Sequence, residues 1–162
     1  MIRLSTPEAI QQVAMPGGWT LTMRTVDAPA FDMARRRASA AAVALMASEE
    51  TRARYGLSAD DVAPLKAHLD ATTGHEDLAD QVRGVVFGAG IHMLAVEIAN
   101  AHAIGWTGVV DDEGEDVPFD RAALAQLLRQ SVVADGRTVW FAEALVERAC
   151  RTAMAELAEG NG

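Results

Sequence analysis

The chain has 162 residues, half of them hydrophobic but only 5% aromatic, and its 14 basic against 23 acidic side chains give a formal charge of -9. This length suits one domain with a core of its own and is cramped for two, and a core poor in aromatics must be filled by alanine, valine, leucine and methionine, which favours close-packed helices. The negative balance repels phosphate backbones and argues against non-specific nucleic-acid binding.

In chain order, Ser5-Thr6-Pro7-Glu8 has the chemistry of a helix start, with a capping hydroxyl, an early proline and a first-turn acid. A short helix is expected from there to Pro16-Gly17-Gly18. The next segment alternates, with Trp19, Leu21 and Met23 on one face and Thr20, Thr22 and Arg24 on the other, which predicts a strand. Residues Met1 to Leu4 are the candidate partner strand. Asp27 then caps a first long helix over Ala28 to Glu50, with Phe31, Ala34, Ala38, Ala41, Ala42 and Leu45 at helical spacing. Its continuation through Tyr55 stops at Gly56, which tolerates the left-handed backbone of a helix end.

Ser58, with Asp61 in the first turn, caps a further helix that Pro64 makes irregular. A helix is expected from about Glu76 to Ile104, with Leu78, Val82, Val85, Ala89, Met93, Val96 and Ala99 along one stripe. Gly84, Gly88 and Gly90 weaken it and let a neighbour approach closely. The texture then changes. Trp106 to Val110 and Val117 to Phe119 read as extended arms of a hairpin around the acidic turn Asp111-Asp112-Glu113-Gly114-Glu115-Asp116. Asp120 caps a short helix with Leu124, Leu127 and Leu128. Asp135-Gly136 separates it from a last helix carrying Val139, Trp140, Leu145, Ala149, Ala153 and Leu157, and the tail from Glu159 frays. The expected fold class is mainly helical α+β: one domain over 1–162, with a short helix and strand region at 1–26, helices over 27–104, the hairpin at 105–119 and C-terminal helices over 120–158.

Candidate chemistry is sparse. Val85-Val86-Phe87-Gly88-Ala89-Gly90 has the look of a dinucleotide-binding glycine turn, but the third small residue of the pattern falls at Met93 and no alternation of strands and helices surrounds it. His92, Glu97 and His102 are spaced five apart, which scatters them around a helix where metal ligands need separations of three or four. With Asp111 as first position of a calcium loop, Gly114 arrives too early and the twelfth position is Ala122 instead of a glutamate. Arg35, Arg36 and Arg37 form a dense basic cluster, read as a solvated helix face, with an acidic partner surface as the sharper alternative. Cys150, the lone cysteine, reads as a small buried hydrophobe in a reducing compartment. No catalytic motif, cofactor site or metal site is expected, and neither is a targeting segment or a membrane span.

The passage Ile104-Gly105-Trp106-Thr107-Gly108-Val109-Val110 through the acidic turn to Val117-Pro118-Phe119 resembles the tail assembly chaperones of long-tailed phages, prophages and gene transfer agents. In that family a helix ends in a tryptophan followed by glycine and valine, an acidic glycine turn, a proline and an aromatic, and a leucine-rich helix. Here the corresponding residues are Trp106, Gly108, Val109, Gly114, Pro118, Phe119 and Leu124 to Leu128. The strand Trp19 to Arg24 and the alanine-rich helix from Pro29 resemble the start of those proteins, while Ser48 to Gly74 matches nothing in them.

The resemblance implies a non-enzymatic helper in the host cytoplasm that coats the long helical tape-measure protein, keeps it soluble and helps recruit tail-tube subunits. It also implies assembly of copies into a ring or filament. The last helix is the candidate partner surface, through Trp140, Phe141, Leu145 and Met154, because aromatic residues often anchor interfaces; the alternative is that these residues complete the core. A permanent structural subunit of a head-tail junction or tail, and a small enzyme whose pocket gathers His92, His102 and Asp111, are the competing expectations.

Overall fold

The structure, a computed structural model, describes residues 9–45, 47–63 and 90–160. Its first elements correct the expected N-terminal helix. Ile10–Ala14 is a strand, β1, paired antiparallel with β2, Thr20–Arg24. Pro16-Gly17-Gly18 does not stop a helix; it turns a hairpin, with Gly17 and Gly18 at φ +86° and +89° and the Met15 amide donating to the Trp19 carbonyl at 2.9 Å. Val13 and Met15 point into the core from alternate positions, the period of a strand. β2 is the strand its alternation predicts, with Trp19, Leu21 and Met23 buried. The candidate partner Met1 to Leu4 lies outside the described residues.

Asp27 caps α1, Ala28–Ala44, accepting from the Ala30 amide at 2.8 Å. The helix ends earlier than expected because Ser48 starts another: α2, Glu49–Arg54, receives a hydrogen bond from the Thr51 amide to Ser48 Oγ. Arg52 takes up the Leu45 carbonyl at that break, at 3.0 Å. Gly56, at φ +64°, closes α2 as expected. Ser58 and Asp61 form a reciprocal cap, the Asp61 amide to Ser58 Oγ at 3.2 Å and the Ser58 amide to Asp61 Oδ2 at 2.7 Å, for α3, described over 59–63. Pro64 and the glycine-rich residues 84–89 lie outside the described residues.

α4, described over 90–102, buries Met93, Val96 and Ala99 as its stripe predicts, but also His92, Ala95, Glu97 and Ile98. A helix covered on nearly every side is a central one. It ends at residue 102 and not at Ile104, because Ala103–Thr107 becomes strand β3, paired antiparallel with β2 in the order β1-β2-β3. The acidic turn follows, bridged between Val110 and Asp116, with the Val117 amide donating to the Val109 carbonyl at 2.9 Å. The expected hairpin is therefore narrow, its first arm beginning in the sheet. Asp120 caps α5, Arg121–Leu127, accepting from the Ala123 amide at 2.8 Å.

The chain then forms a second hairpin, β4, Ser131–Ala134, with β5, Arg137–Trp140. Val139 and Trp140 thus lie on a strand, not on the last helix. The turn is Asp135-Gly136, at φ +51° and +74°, the two left-handed residues of a tight hairpin connection. The last helix, α6, runs over Phe141–Gly160, so Glu159 and Gly160 are helical where a frayed tail is expected. α6 packs on α1, and its first residue, Phe141, meets Trp19 of the sheet with ring centroids 5.6 Å apart. The fold is α+β, as expected: helices around a central one, a three-stranded sheet and a two-stranded hairpin. Among the described residues no helix is long and apolar enough to cross a membrane.

Candidate functional site

The position of α4 decides what its polar residues do. His92 and Glu97 are five residues, about 140°, apart on the helix, so both face protein once the helix is enclosed. Tyr55 meets each of them. Its hydroxyl donates to Glu97 Oε1 at 2.7 Å, while its carbonyl accepts from His92 Nε2 at 2.6 Å. Arg54 completes the Glu97 pair, with Nη2 at 2.9 Å from Oε1 and 3.0 Å from Oε2. Burial, then the Glu97 carboxylate, hold the Tyr55 phenol well above its ordinary range, and burial pushes the His92 imidazole below its ordinary value. Nearby, Arg129 donates to the Gly56 carbonyl at 2.8 Å and to Asp61 at 2.5 Å. This cluster pins the α2–α3 connection to α4 and α5. Glu97 and the Tyr55 hydroxyl are satisfied within this net, while His92 Nδ1 is buried without a hydrogen-bond partner among the described residues.

His92 and Asp111, two of the three residues expected in a reaction centre, stand in different surroundings. His92 is buried against Tyr55, whereas Asp111 is exposed on the acidic turn, where its carboxylate accepts from the Glu113 and Glu115 amides at 3.0 and 2.9 Å. Burial pushes the Cys150 thiol up to about 12, which leaves it a packing group. In the basic cluster, Arg35 and Arg36 fold back onto Asp32, each at 2.7 Å, and hold its carboxyl below the ordinary carboxylate range.

The passage that carries the family resemblance forms one interlocked unit. Trp106 Nε1 donates to the Val117 carbonyl at 2.7 Å across the acidic turn, and its ring meets Phe119 edge-on with centroids 5.1 Å apart. Gly108, at φ +78°, lies so near the first hairpin that a Cβ there would sit 3.3 Å from the Gly18 carbonyl oxygen. Gly114, at φ +85°, turns the acidic loop. Leu124 and Leu128 of the following segment are buried in the core.

The four residues expected on a partner surface divide. Phe141 and Leu145 are buried, which removes them from any surface of the folded chain, because α6 turns that stripe toward the sheet. Trp140 and Met154 are exposed, at 51% and 44%. Trp140 belongs to a face that sequence periodicity missed: opposite pairs Ser131 and Trp140, and Val133 and Thr138, share the outer side of the hairpin, with Val133 77% exposed. The Asp-Gly turn between two Val-rich arms is the signal that locates it. Met154 belongs to a separate surface, an open groove of about 410 Å³ lined by Ile91 of α4 and by Glu143, Val146, Glu147, Arg151 and Met154 of α6. None of His92, His102 and Asp111 lines it. No protein-family model, curated protein or solved structure matches the chain.

Proposed function

We propose that the protein is a non-enzymatic tail assembly chaperone of the phage type, acting in the bacterial cytoplasm on the tape-measure protein and helping to recruit tail-tube subunits. The observation that carries this reading is the passage from Trp106 to Leu128. Its order of residues resembles that of the family; within it Trp106 bonds the Val117 carbonyl and meets the Phe119 ring, Gly108 and Gly114 take left-handed backbone, and Leu124 and Leu128 are buried in the core.

The surface is in keeping with a binding role. Large apolar side chains stand in the open at Met33, Val133, Trp140 and Met154 on a chain of formal charge -9. Apolar patches hold apolar partners, and surplus charge of one sign keeps the resulting complex apart from its neighbours.

The competing reading is a permanent structural subunit of a tail or head-tail junction. Quantitative mass spectrometry of assembling lysates and of purified particles tells the two apart. The chaperone reading expects the protein in the lysate, bound to the tape-measure protein, and its absence from finished particles. A fixed copy number in finished particles overturns that reading in favour of a structural subunit.

A further inference from the structure

We infer that the groove between α4 and α6 is the docking site for an amphipathic helix of a partner protein, one that carries basic residues beside its apolar stripe. The proposal deepens the chaperone reading and rests on it for the identity of the partner. The chemistry of the occupant comes from the groove itself. Val146 forms its buried floor, and Ile91 and the half-exposed Met154 add apolar walls. Met is suited to such a place because its unbranched thioether adapts to different apolar surfaces.

The rim gives the charge. Glu143 and Glu147 stand on successive turns of one exposed face of α6, against a single guanidinium among the described lining residues, Arg151, which lies 3.4 Å from Glu147. The surplus is acidic, as it is over the whole chain at -9, so the complementary partner is basic at its flanks. The dimensions give the shape. From Glu143 to Met154 the lining spans roughly three turns of helix, or about 16 Å. α6 supplies that length and α4 adds Ile91, so an added helix lies along α6 with anchors at i, i+3, i+4 and i+7.

The test uses the full-length chain and a synthetic helical peptide with leucines at i, i+3, i+4 and i+7 and lysines on either side, compared with the same peptide bearing glutamates in place of the lysines. Fluorescence anisotropy measures affinity, and the Met154 methyl resonance reports the site. The expected result is binding of the lysine peptide that weakens with salt, moves the Met154 methyl, and falls by roughly tenfold or more in the exposed double variant Glu143→Lys/Glu147→Lys. Equal binding of both peptides, binding that leaves the Met154 methyl unmoved, or no binding overturns the proposal. So does concentration-dependent self-association that Met154→Glu abolishes, which assigns the groove to a second copy. Shielding of the Met154 methyl from a soluble relaxation agent in the free chain also overturns it, since the groove is then filled from within. If Glu143→Lys/Glu147→Lys still co-purifies with the tape-measure protein at undiminished stoichiometry, the groove proposal fails and the chaperone reading stands. If the lysine peptide binds at Met154 but no tape-measure complex forms, the groove stands and the chaperone reading fails.

Discussion

Trp140 and Phe141 are adjacent in sequence and opposite in role. Trp140 ends β5 half in the open, while Phe141 begins α6 buried against Trp19. Truncating a buried phenylalanine removes transfer energy and leaves a cavity, about 3–5 kcal/mol in total; truncating an exposed tryptophan typically costs about 1 kcal/mol or less. Phe141→Ala should therefore lower the melting temperature sharply and Trp140→Ala only slightly, as thermal unfolding of both variants will show. If Trp140 contacts a partner, its variant should lose affinity at nearly unchanged melting temperature. His92 supplies a second prediction at this scale. Burial holds the imidazole below its ordinary value of 6.5, with the Tyr55 carbonyl opposing that shift, so the folded chain resists a proton that the unfolded chain accepts. Stability should then be full above about pH 6.5 and fall as the pH drops below it. The Asp61 carboxyl, held down first by the Ser58 amide, acts in a lower window, below its ordinary value of 3.8. Urea unfolding at about pH 7.5 and about pH 5.5 should show the loss in the parent chain and a smaller one in His92→Gln; equal losses would exclude His92 as the cause.

Among the elements, three helix starts were legible in sequence, because a cap is a local interaction, while the start at Ser48 was missed. Asp27, Ser58 and Asp120 each accept the amide three residues on, as their side-chain chemistry requires. Strands were less so. At the end of β1 there is one clear apolar alternation, Val13 to Met15 just beyond it, and Ile10–Ala14 is a strand because β2 offers it a partner, which no local pattern reveals. β3 likewise ends a helical run at residue 102 because β2 has a second free edge. The β4–β5 hairpin carries a signal in Asp135-Gly136, but Val139 and Trp140 lie directly before the i, i+4 series Leu145, Ala149, Ala153 and Leu157 and read as part of the same helix. The glycines of the resemblance passage allow a test at this scale. Gly108→Ala places a Cβ 3.3 Å from backbone in a left-handed conformation, whereas Gly114→Ala meets nothing within 4 Å at a similar angle. Both should destabilise, Gly114→Ala by roughly 1 kcal/mol and Gly108→Ala by more. Equal melting temperatures for the two would show that β3 does not rest on the Gly17-Gly18 turn as described.

In the whole molecule, the helical majority followed from composition, since a core poor in aromatics must pack small side chains closely, and the β part from local alternation at Trp19 to Arg24. The interaction surface did not. Periodicity groups Trp140, Phe141, Leu145 and Met154 on one helix, yet two of the four are buried and the exposed pair belongs to a hairpin face and to a groove. Burial is a property of the tertiary arrangement, and neither the turn that lifts Trp140 out of the helix nor the place of α4 beside α6 is encoded in hydrophobic spacing. The proposed chaperone role draws on open apolar side chains on an acidic chain and on a groove with an acidic rim. Co-expression with the long, helix-rich tape-measure protein tests this most directly, by comparing that partner's solubility with and without this chain and counting the copies retained on affinity purification. The expected result is a partner insoluble alone and soluble in a complex holding several copies of this chain. A partner that stays soluble alone and retains none would contradict it.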